Sequence, residues 1–103
     1  MDQPIYMLNA LWFKKDGGKE KYTQYSGAIA PILKAVGGEP QPAYKPNQAL
    51  IGSWDPDVFF VVKYPNQAAF ESMVSSEDYA KIKHLREEAI ENSILIQCNA
   101  FDW

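Results

Sequence analysis

Three segments of this chain are apolar on both faces of any strand that they form. They are Ile5–Phe13 (IYMLNALWF), Val58–Tyr64 (VFFVVKY) and Ile94–Phe101 (ILIQCNAF). Their β-branched and aromatic residues favour strands, and successive side chains of a strand point to opposite faces of its sheet. Each strand would therefore present apolar groups to both sides. The chain must build a sheet that is covered on both faces.

Two regions between these strands carry helical periodicity. Lys19–Val36 places apolar residues at three- and four-residue steps, and Gly37-Gly38 predicts its end. Pro31 lies inside this helix and predicts a kink or a new first turn. The second helical region opens at Pro65-Asn66 and runs to about Glu91, with a fresh N-cap predicted at Ser75-Ser76. The chain thus predicts two helical regions that separate its strands.

The stretch Glu39–Trp54 is broken by three prolines, which belong at the edge of a sheet. We expect short edge strands near Gln41–Lys45 and Ala49–Trp54, joined by a hairpin tip at Pro46-Asn47-Gln48. The resulting βαββαβ order matches the ferredoxin-like motif, an α+β fold with an antiparallel sheet and both helical regions on one face. The length suits a single domain over residues 1–103.

Two helical regions cover one face of such a sheet, so the second apolar face needs another cover. A twin subunit is the simplest cover, and we expect a homodimer that pairs sheet to sheet. If the strand parities align, four polar residues share the face opposite Tyr6, Leu8 and Trp12. They are Asn9, Lys63, Gln97 and Asn99. They predict a partly polar dimer seam, either as hydrogen bonds that set the register or as a ligand cavity.

Composition narrows the range of partners and cofactors. Ten Lys+Arg against thirteen Asp+Glu give a net charge of −3, which is not the footprint of a protein that binds nucleic acid or an anionic membrane. The lone Cys98 forms no internal disulfide, and the N-terminus shows no signal peptide, so we expect a cytoplasmic protein. With one His, one Cys and no phosphate-binding glycine motif, we expect no metal and no cofactor.

Five motifs, in order along residues 4–98, resemble the family called domain of unknown function 1330. They are Tyr25–Gly38 (YSGAIAPILKAVGG), Leu50–Trp54 (LIGSW), Val61–Pro65 (VVKYP), Ser75–Tyr79 (SSEDY) and Leu85–Ala89 (LREEA). The resemblance implies the fold of the dimeric α/β barrels, a group that includes small antibiotic-biosynthesis monooxygenases, muconolactone isomerases and chlorite dismutases. Ser53 and Lys63 stand where the family usually has acidic residues, so a role for those acids would not carry over. The family has no agreed activity.

Arg86 is the most informative polar residue of the chain. Its helical phase directs it toward the sheet, between Ile82 and Ala89, where an unpaired charge is costly. One interpretation is an ion pair or carbonyl clamp, with Glu39, Asp55 or Asp57 as the nearest candidate acids. The other is an anchor for a ligand carboxylate or enolate, which the bidentate guanidinium suits.

Tyr22 and Tyr25 lie on the inner stripe of the first helix, as packing residues or as donors into a helix–sheet pocket. Trp54 either lines the same pocket or shields an edge strand. His84, the only histidine, falls on the solvent side of its helix and is a poor candidate base. The predicted ligand-binding residues are therefore Arg86, Tyr22, Tyr25 and Trp54, and no catalytic residue is assigned.

Two functions stay open at this point. The first is a small cofactor-independent enzyme, similar to an isomerase or a monooxygenase, that acts on a small aromatic or oxo-acid metabolite. The second is a non-catalytic protein of the same fold that binds a small ligand or serves in assembly. The expected partners are a second copy of the chain and a small organic acid.

Overall fold

A computed structural model describes residues 3–103 of the chain. Met1 and Asp2, which the predicted domain includes, lie outside the described residues. The elements of the described part are β1 (Ile5–Phe13), α1 (Gly18–Ala35), β2 (Glu39–Pro40), β3 (Val58–Tyr64), α2 (Gln67–Val74), α3 (Glu77–Ala89) and β4 (Ile90–Cys98). The antiparallel sheet has the order β2-β3-β1-β4. The predicted α+β, ferredoxin-like fold is confirmed.

Helix α1 follows the prediction closely at its C-terminal end. It ends at Ala35, and Gly37 adopts φ 79°, a left-handed conformation that glycine tolerates. The Gly38 N–H donates to the Leu33 carbonyl at 2.8 Å. The predicted new first turn at Pro31 is wrong, because α1 runs unbroken through it. Pro31 has no N–H to donate to the carbonyl of Gly27, one turn earlier. Both residues are exposed, so water can donate a hydrogen bond to that carbonyl instead.

The second helical region consists of two helices with side-chain caps. Asn66 accepts a hydrogen bond from the Ala69 N–H at 2.8 Å, and Ser76 accepts one from the Tyr79 N–H at 3.1 Å. The predicted fresh N-cap is thus confirmed. Within residues 3–103, no helix combines the length and apolarity that crossing a membrane requires.

Strand β4 begins and ends earlier than predicted. It starts at Ile90, directly after α3, and ends at Cys98 rather than Phe101. The difference comes from pairing, because β4 follows β1 along its length, from Phe13↔Ile90 to Tyr6↔Cys98. Beyond Cys98 the described tail leaves the sheet, and Phe101 is 75% exposed.

The Pro-broken segment contributes less strand than predicted. The edge of β3 is occupied by the two-residue β2 and by an isolated bridge between Tyr44 and Phe59. The strand predicted at Ala49–Trp54 is wrong, since that stretch is coil and Ile51 is 98% exposed. The side of β3 away from β1 is already taken by residues 39–44, so no sheet edge there is left for the later stretch to join.

The two faces of the sheet differ in cover. All helices lie on one side, where Ile5, Met7, Leu11, Val62 and Tyr64 are buried. The other side, called the open face here, carries no helix of residues 3–103, although the coil after β2 contacts it where the rings of Tyr44 and Trp54 pack on Phe59. Its residues, by strand register, are Tyr6, Leu8, Ala10, Trp12, Glu39, Phe59, Val61, Lys63, Asn92, Ile94, Ile96 and Cys98.

The predicted polar seam is wrong. The register Tyr6↔Lys63 places Lys63 on the open face, whereas Asn9 and Gln97 lie on the face that the helices cover. Asn99 follows the end of β4 and joins neither face. A shift of one residue in strand parity exchanges the two faces, and the sequence alone left that parity open.

Candidate functional site

A cavity of about 1160 Å³ opens between α1, the helix-covered face of the sheet and the segment that follows α1. Its floor comes from β1, β3 and β4, and is apolar except for Asn9 and Tyr64. The floor residues are Met7, Asn9, Phe13, Val58, Phe60, Val62, Tyr64 and Leu95. The floor follows from strand alternation, which turns the odd residues of β1 and the even residues of β3 toward the helices.

A group of tyrosines forms the wall on the side of α1. The rings of Tyr22 and Tyr25 lie 5.3 Å apart, and the Tyr22 ring lies 5.6 Å from Phe13 at the end of β1. The hydroxyls of Tyr25 and Tyr79 share a hydrogen bond of 3.2 Å. Three-residue spacing on α1 places Tyr22 and Tyr25 on the same inner side of the helix. The wall therefore combines ring surface with phenol groups.

Burial keeps these phenols neutral. It raises the pKa of Tyr22 to about 12, although the nearby Arg86 guanidinium opposes part of the rise. Burial and the hydrogen bond to Tyr79 raise the pKa of Tyr25 still further. A phenol with so high a pKa stays protonated at neutral pH. These hydroxyls can donate hydrogen bonds to a ligand oxygen but cannot serve as general bases there.

Arg86 lines the cavity from α3 and is partly buried. Within residues 3–103 it forms no ion pair and no hydrogen bond. The acids considered as partners are occupied elsewhere or face away. Asp55 accepts from Trp12 Nε1 at 3.1 Å, and Asp57 accepts from the Phe13 N–H at 2.7 Å. Glu39 lies opposite Lys63 in register, on the far side of the sheet. The ion-pair interpretation has no partner in the described part of the chain.

Asn9 is the cavity residue that sequence reasoning misplaced. It is the buried polar residue of the described core, 9% exposed, and its amide nitrogen donates to the Met7 carbonyl at 3.1 Å. Across residues 3–103 its amide oxygen accepts no hydrogen bond. That oxygen is available to a donor in the cavity. Asn9 could have been placed in the cavity if the face of the sheet on which each strand residue lies had been known. Those faces follow only from the register of β1 with β3 and β4.

Trp54 does not line this cavity. Its ring packs 5.3 Å from the ring of Phe59, which belongs to the open face, and it is 43% exposed. The expectation that Trp54 walls the pocket of Tyr22 and Tyr25 is therefore wrong in position. His84 is exposed on α3, as its helical phase predicts. The structure brings together Arg86, Tyr22 and Tyr25, and adds Asn9.

The interior of the site presents one partly buried cation, several neutral phenols and the free amide oxygen of Asn9, on a floor that is otherwise mostly apolar. A guanidinium and phenol hydroxyls suit a carboxylate or an enolate oxygen, and the floor suits an apolar body. In the part of the chain that the structure describes, no three His, Cys, Asp or Glu side chains group as metal ligands.

Comparison with known proteins agrees with this architecture. A family model described as a domain of unknown function, DUF1330, matches residues 6–98. The chain belongs to the DUF1330 family. Among curated proteins, none matches this DUF1330 chain.

Solved structures resemble the DUF1330 chain over nearly its full length. A protein of unknown function from Rhodopseudomonas palustris is 27% identical, with a TM-score of 0.88 over 99% of this chain and 85% of that one. A dimeric ferredoxin-like protein from Jannaschia has 10% identity and a TM-score of 0.74, covering 94% and 99%. A Bacteroides thetaiotaomicron protein, provisionally named an antibiotic biosynthesis monooxygenase, has 15% identity and a TM-score of 0.72, covering 97% and 91%. The last two likenesses show the fold alone.

Proposed function

We propose that this DUF1330 protein binds a small aromatic or oxo acid in the helix–sheet cavity, with the acid's carboxylate on Arg86. The observation that carries the proposal is the partly buried guanidinium without an acidic partner among residues 3–103. A partly buried cation keeps some contact with water but gains from a counter-charge, and a bound anion can supply one where residues 3–103 do not. The phenols of Tyr22 and Tyr25 add hydrogen-bond donors beside it.

The rest of the ligand meets an apolar floor with one polar group. Met7, Phe60 and Val62 suit an aromatic or aliphatic body. The free amide oxygen of Asn9 suits a hydroxyl or enol donor. This pattern favours an acid whose body carries one further polar group, as oxo acids and their enols do.

We further propose that the protein is a catalyst, namely a cofactor-independent enzyme similar to an isomerase or a monooxygenase. The supporting observation is the pairing of a cation with neutral phenols, because both stabilise negative charge on an enolate oxygen. The alternative is a non-catalytic binding protein of the same fold. The fold by itself does not choose between them.

Assembly belongs to the same proposal. The open face carries Leu8, Val61 and Ile96, and Ile96 is 47% exposed in the single chain. A contiguous apolar sheet face of this kind usually marks an interface. A second copy packed sheet to sheet would cover it, and the similar Jannaschia protein is described as dimeric. We expect the homodimer to act in the cytoplasm.

Calorimetric titration with benzoate and phenylpyruvate tests ligand binding. Charge-assisted hydrogen bonds contribute about 1.5–3 kcal/mol, so Arg86→Gln should weaken binding by roughly ten- to a hundredfold. Lys83→Gln is the matched control, since Lys83 is exposed on the same helix and does not line the cavity. Equal affinities for the two variants, or no binding of either acid by the native protein, would contradict the proposal.

Deuterium exchange separates the enzyme from the binding protein. Phenylpyruvate has an enolisable methylene. A solvent base accepts its proton to give the enolate, D2O returns a deuteron to the same carbon, and the methylene proton signal disappears. An enzyme that stabilises the enolate should speed this loss, and Arg86→Gln should remove most of the acceleration. Binding that depends on Arg86 without faster exchange would favour the non-catalytic alternative.

A further inference from the structure

The positive charge around the cavity is concentrated at one end. Six cationic side chains line the cavity and only two acidic ones do, in a chain whose net charge is −3. The cations are Lys14, Lys15, Lys19, Lys34, Lys45 and Arg86, and the acids are Glu20 and Asp57. The side chains that line the cavity therefore carry a net positive charge, whereas the net charge of the whole chain is negative.

The topology brings five of these six cations to the end where β1 stops. Lys14 and Lys15 follow directly on β1, and Lys19 lies in the first turn of α1. The Lys14 N–H donates to the Ala89 carbonyl at 2.9 Å, which joins this end to the last turn of α3, where Arg86 lies.

Lys45 reaches the same end from a separate segment. Tyr44 exchanges two hydrogen bonds of 2.9 Å with Phe59, near the start of β3. The start of β3 lies opposite the end of β1, in the register Leu11↔Val58. Lys34, at the far end of α1, is the exception.

The acids at this end offset only part of the charge. The Asp57 carboxylate already accepts from the Phe13 N–H, and Glu20 lies in the first turn of α1. Within residues 3–103 the ion pair is Lys21–Glu88, outside the cavity lining, so none of the cavity lysines is paired. One partly buried cation, Arg86, thus lies inside the cavity. Four exposed, unpaired lysines line the cavity at the end where β1 stops, which is called the mouth here: Lys14, Lys15, Lys19 and Lys45.

We infer that the cavity selects doubly charged acids, with one anionic group on Arg86 and a second carboxylate or a phosphate at the lysine-rich mouth. The inference rests on the proposed function and specifies its ligand class. A single carboxylate on Arg86 would leave the mouth lysines without a counter-charge. A second anionic group would offset part of their charge. The lysines would also attract it toward the cavity, over a range that becomes shorter as the salt concentration rises.

Titration with three probes at low ionic strength tests this selection. Benzoate carries one charge, terephthalate carries a second carboxylate, and phenyl phosphate carries its charge on one group. Because exposed ion pairs contribute about 0.2–1 kcal/mol each, several lysines should favour a dianion over benzoate by roughly tenfold. Terephthalate should bind better than phenyl phosphate, because only terephthalate has a second group that can reach the mouth lysines while the first lies on Arg86. Phenyl phosphate binding better than terephthalate would show that charge on one group is sufficient and would overturn the inference.

Matched double variants test whether the mouth lysines cause the preference for dianions over benzoate. Lys19→Gln/Lys45→Gln removes two mouth charges from separate segments, and Lys81→Gln/Lys83→Gln removes two charges of α3 outside this cavity. The first variant should cut the dianion preference to about threefold, whereas the second should leave it unchanged. Equal losses in both variants, or no dianion preference in the native protein, would overturn the inference.

The proposed function fails on a different result. If benzoate binds and depends on Arg86 while neither dianion binds better, the proposed function stands and this inference falls. If none of the acids binds, or if benzoate binding ignores Arg86→Gln, the proposed function falls and takes the inference with it. Raising the salt concentration should reduce the dianion preference more than it reduces benzoate affinity.

Discussion

The helix-covered face and the open face of the sheet are built from similar apolar residues, yet their surroundings differ. On the covered face Met7 is 4% exposed, whereas on the open face Ile96 is 47% exposed. The covered face also holds the cavity, Asn9 and the tyrosines that line it, whereas the charged and amide residues of the open face among residues 3–103 are Glu39, Lys63 and Asn92. Under the proposed function, the covered face binds a ligand within the chain and the open face packs against a second copy.

A charge on the open face should have the largest effect. Ile96→Lys places a cation within the proposed interface, so light scattering at micromolar concentration should show the mass falling from two chains to one. Gln24→Lys is the control, because Gln24 is exposed on α1. If the native protein has the mass of one folded chain, the proposed dimer through the open face is contradicted.

Equivalent leucines on the two faces of β1 sharpen the comparison. Leu11 is fully buried on the covered face, and Leu11→Ala should lower the free energy of unfolding by about 3 kcal/mol. Leu8 lies on the open face, so the cost of Leu8→Ala should grow with protein concentration as the partner buries the site. Denaturation at two concentrations measures both. Costs that are equal and independent of concentration would contradict the assignment of the faces.

The covered face should also respond to alkali. Burial raises the pKa of Tyr64 to about 12 from 10, so between these values the folded chain binds more protons than the unfolded chain. Stability is fully present below pH 10 and is lost as pH rises toward 12, by about 2–3 kcal/mol for Tyr64. Tyr64→Phe should reduce this loss, and Tyr44→Phe, at a residue 58% exposed, should not. Identical alkaline profiles for both variants would be the contrary result.

Asn9 should show the smallest effect on stability and a clear effect on ligand binding. Asn9→Leu replaces a polar side chain by an apolar one of similar volume, so the free energy of unfolding should change by less than about 1 kcal/mol. Phenylpyruvate should bind less well, because the variant lacks the amide oxygen and narrows the floor. Unchanged affinity in calorimetry would exclude Asn9 from the ligand site.

Local sequence patterns determined much of the fold. The extents of β1, β3 and α1, the glycine stop after α1 and the Ser76 cap follow from periodicity and turn chemistry. The solvent position of His84 and the shared side of Tyr22 and Tyr25 follow from helical phase. These features depend on residues near one another in the chain, and a sequence expresses them directly.

Tertiary structure decided the features that depend on distant residues. The side of the sheet that Asn9 and Lys63 occupy depends on the register between β1 and β3, which are separated by a helix and a long coil. The full length of β4 came from pairing with β1, and the coil at Ala49–Trp54 came from an edge already filled. The sequence was sufficient to predict β1, α1, β3 and the capped helices in their order, and the inward side of Arg86. Because a strand has two equivalent faces until a partner sets its register, only the folded sheet decided which residues share the cavity with Arg86.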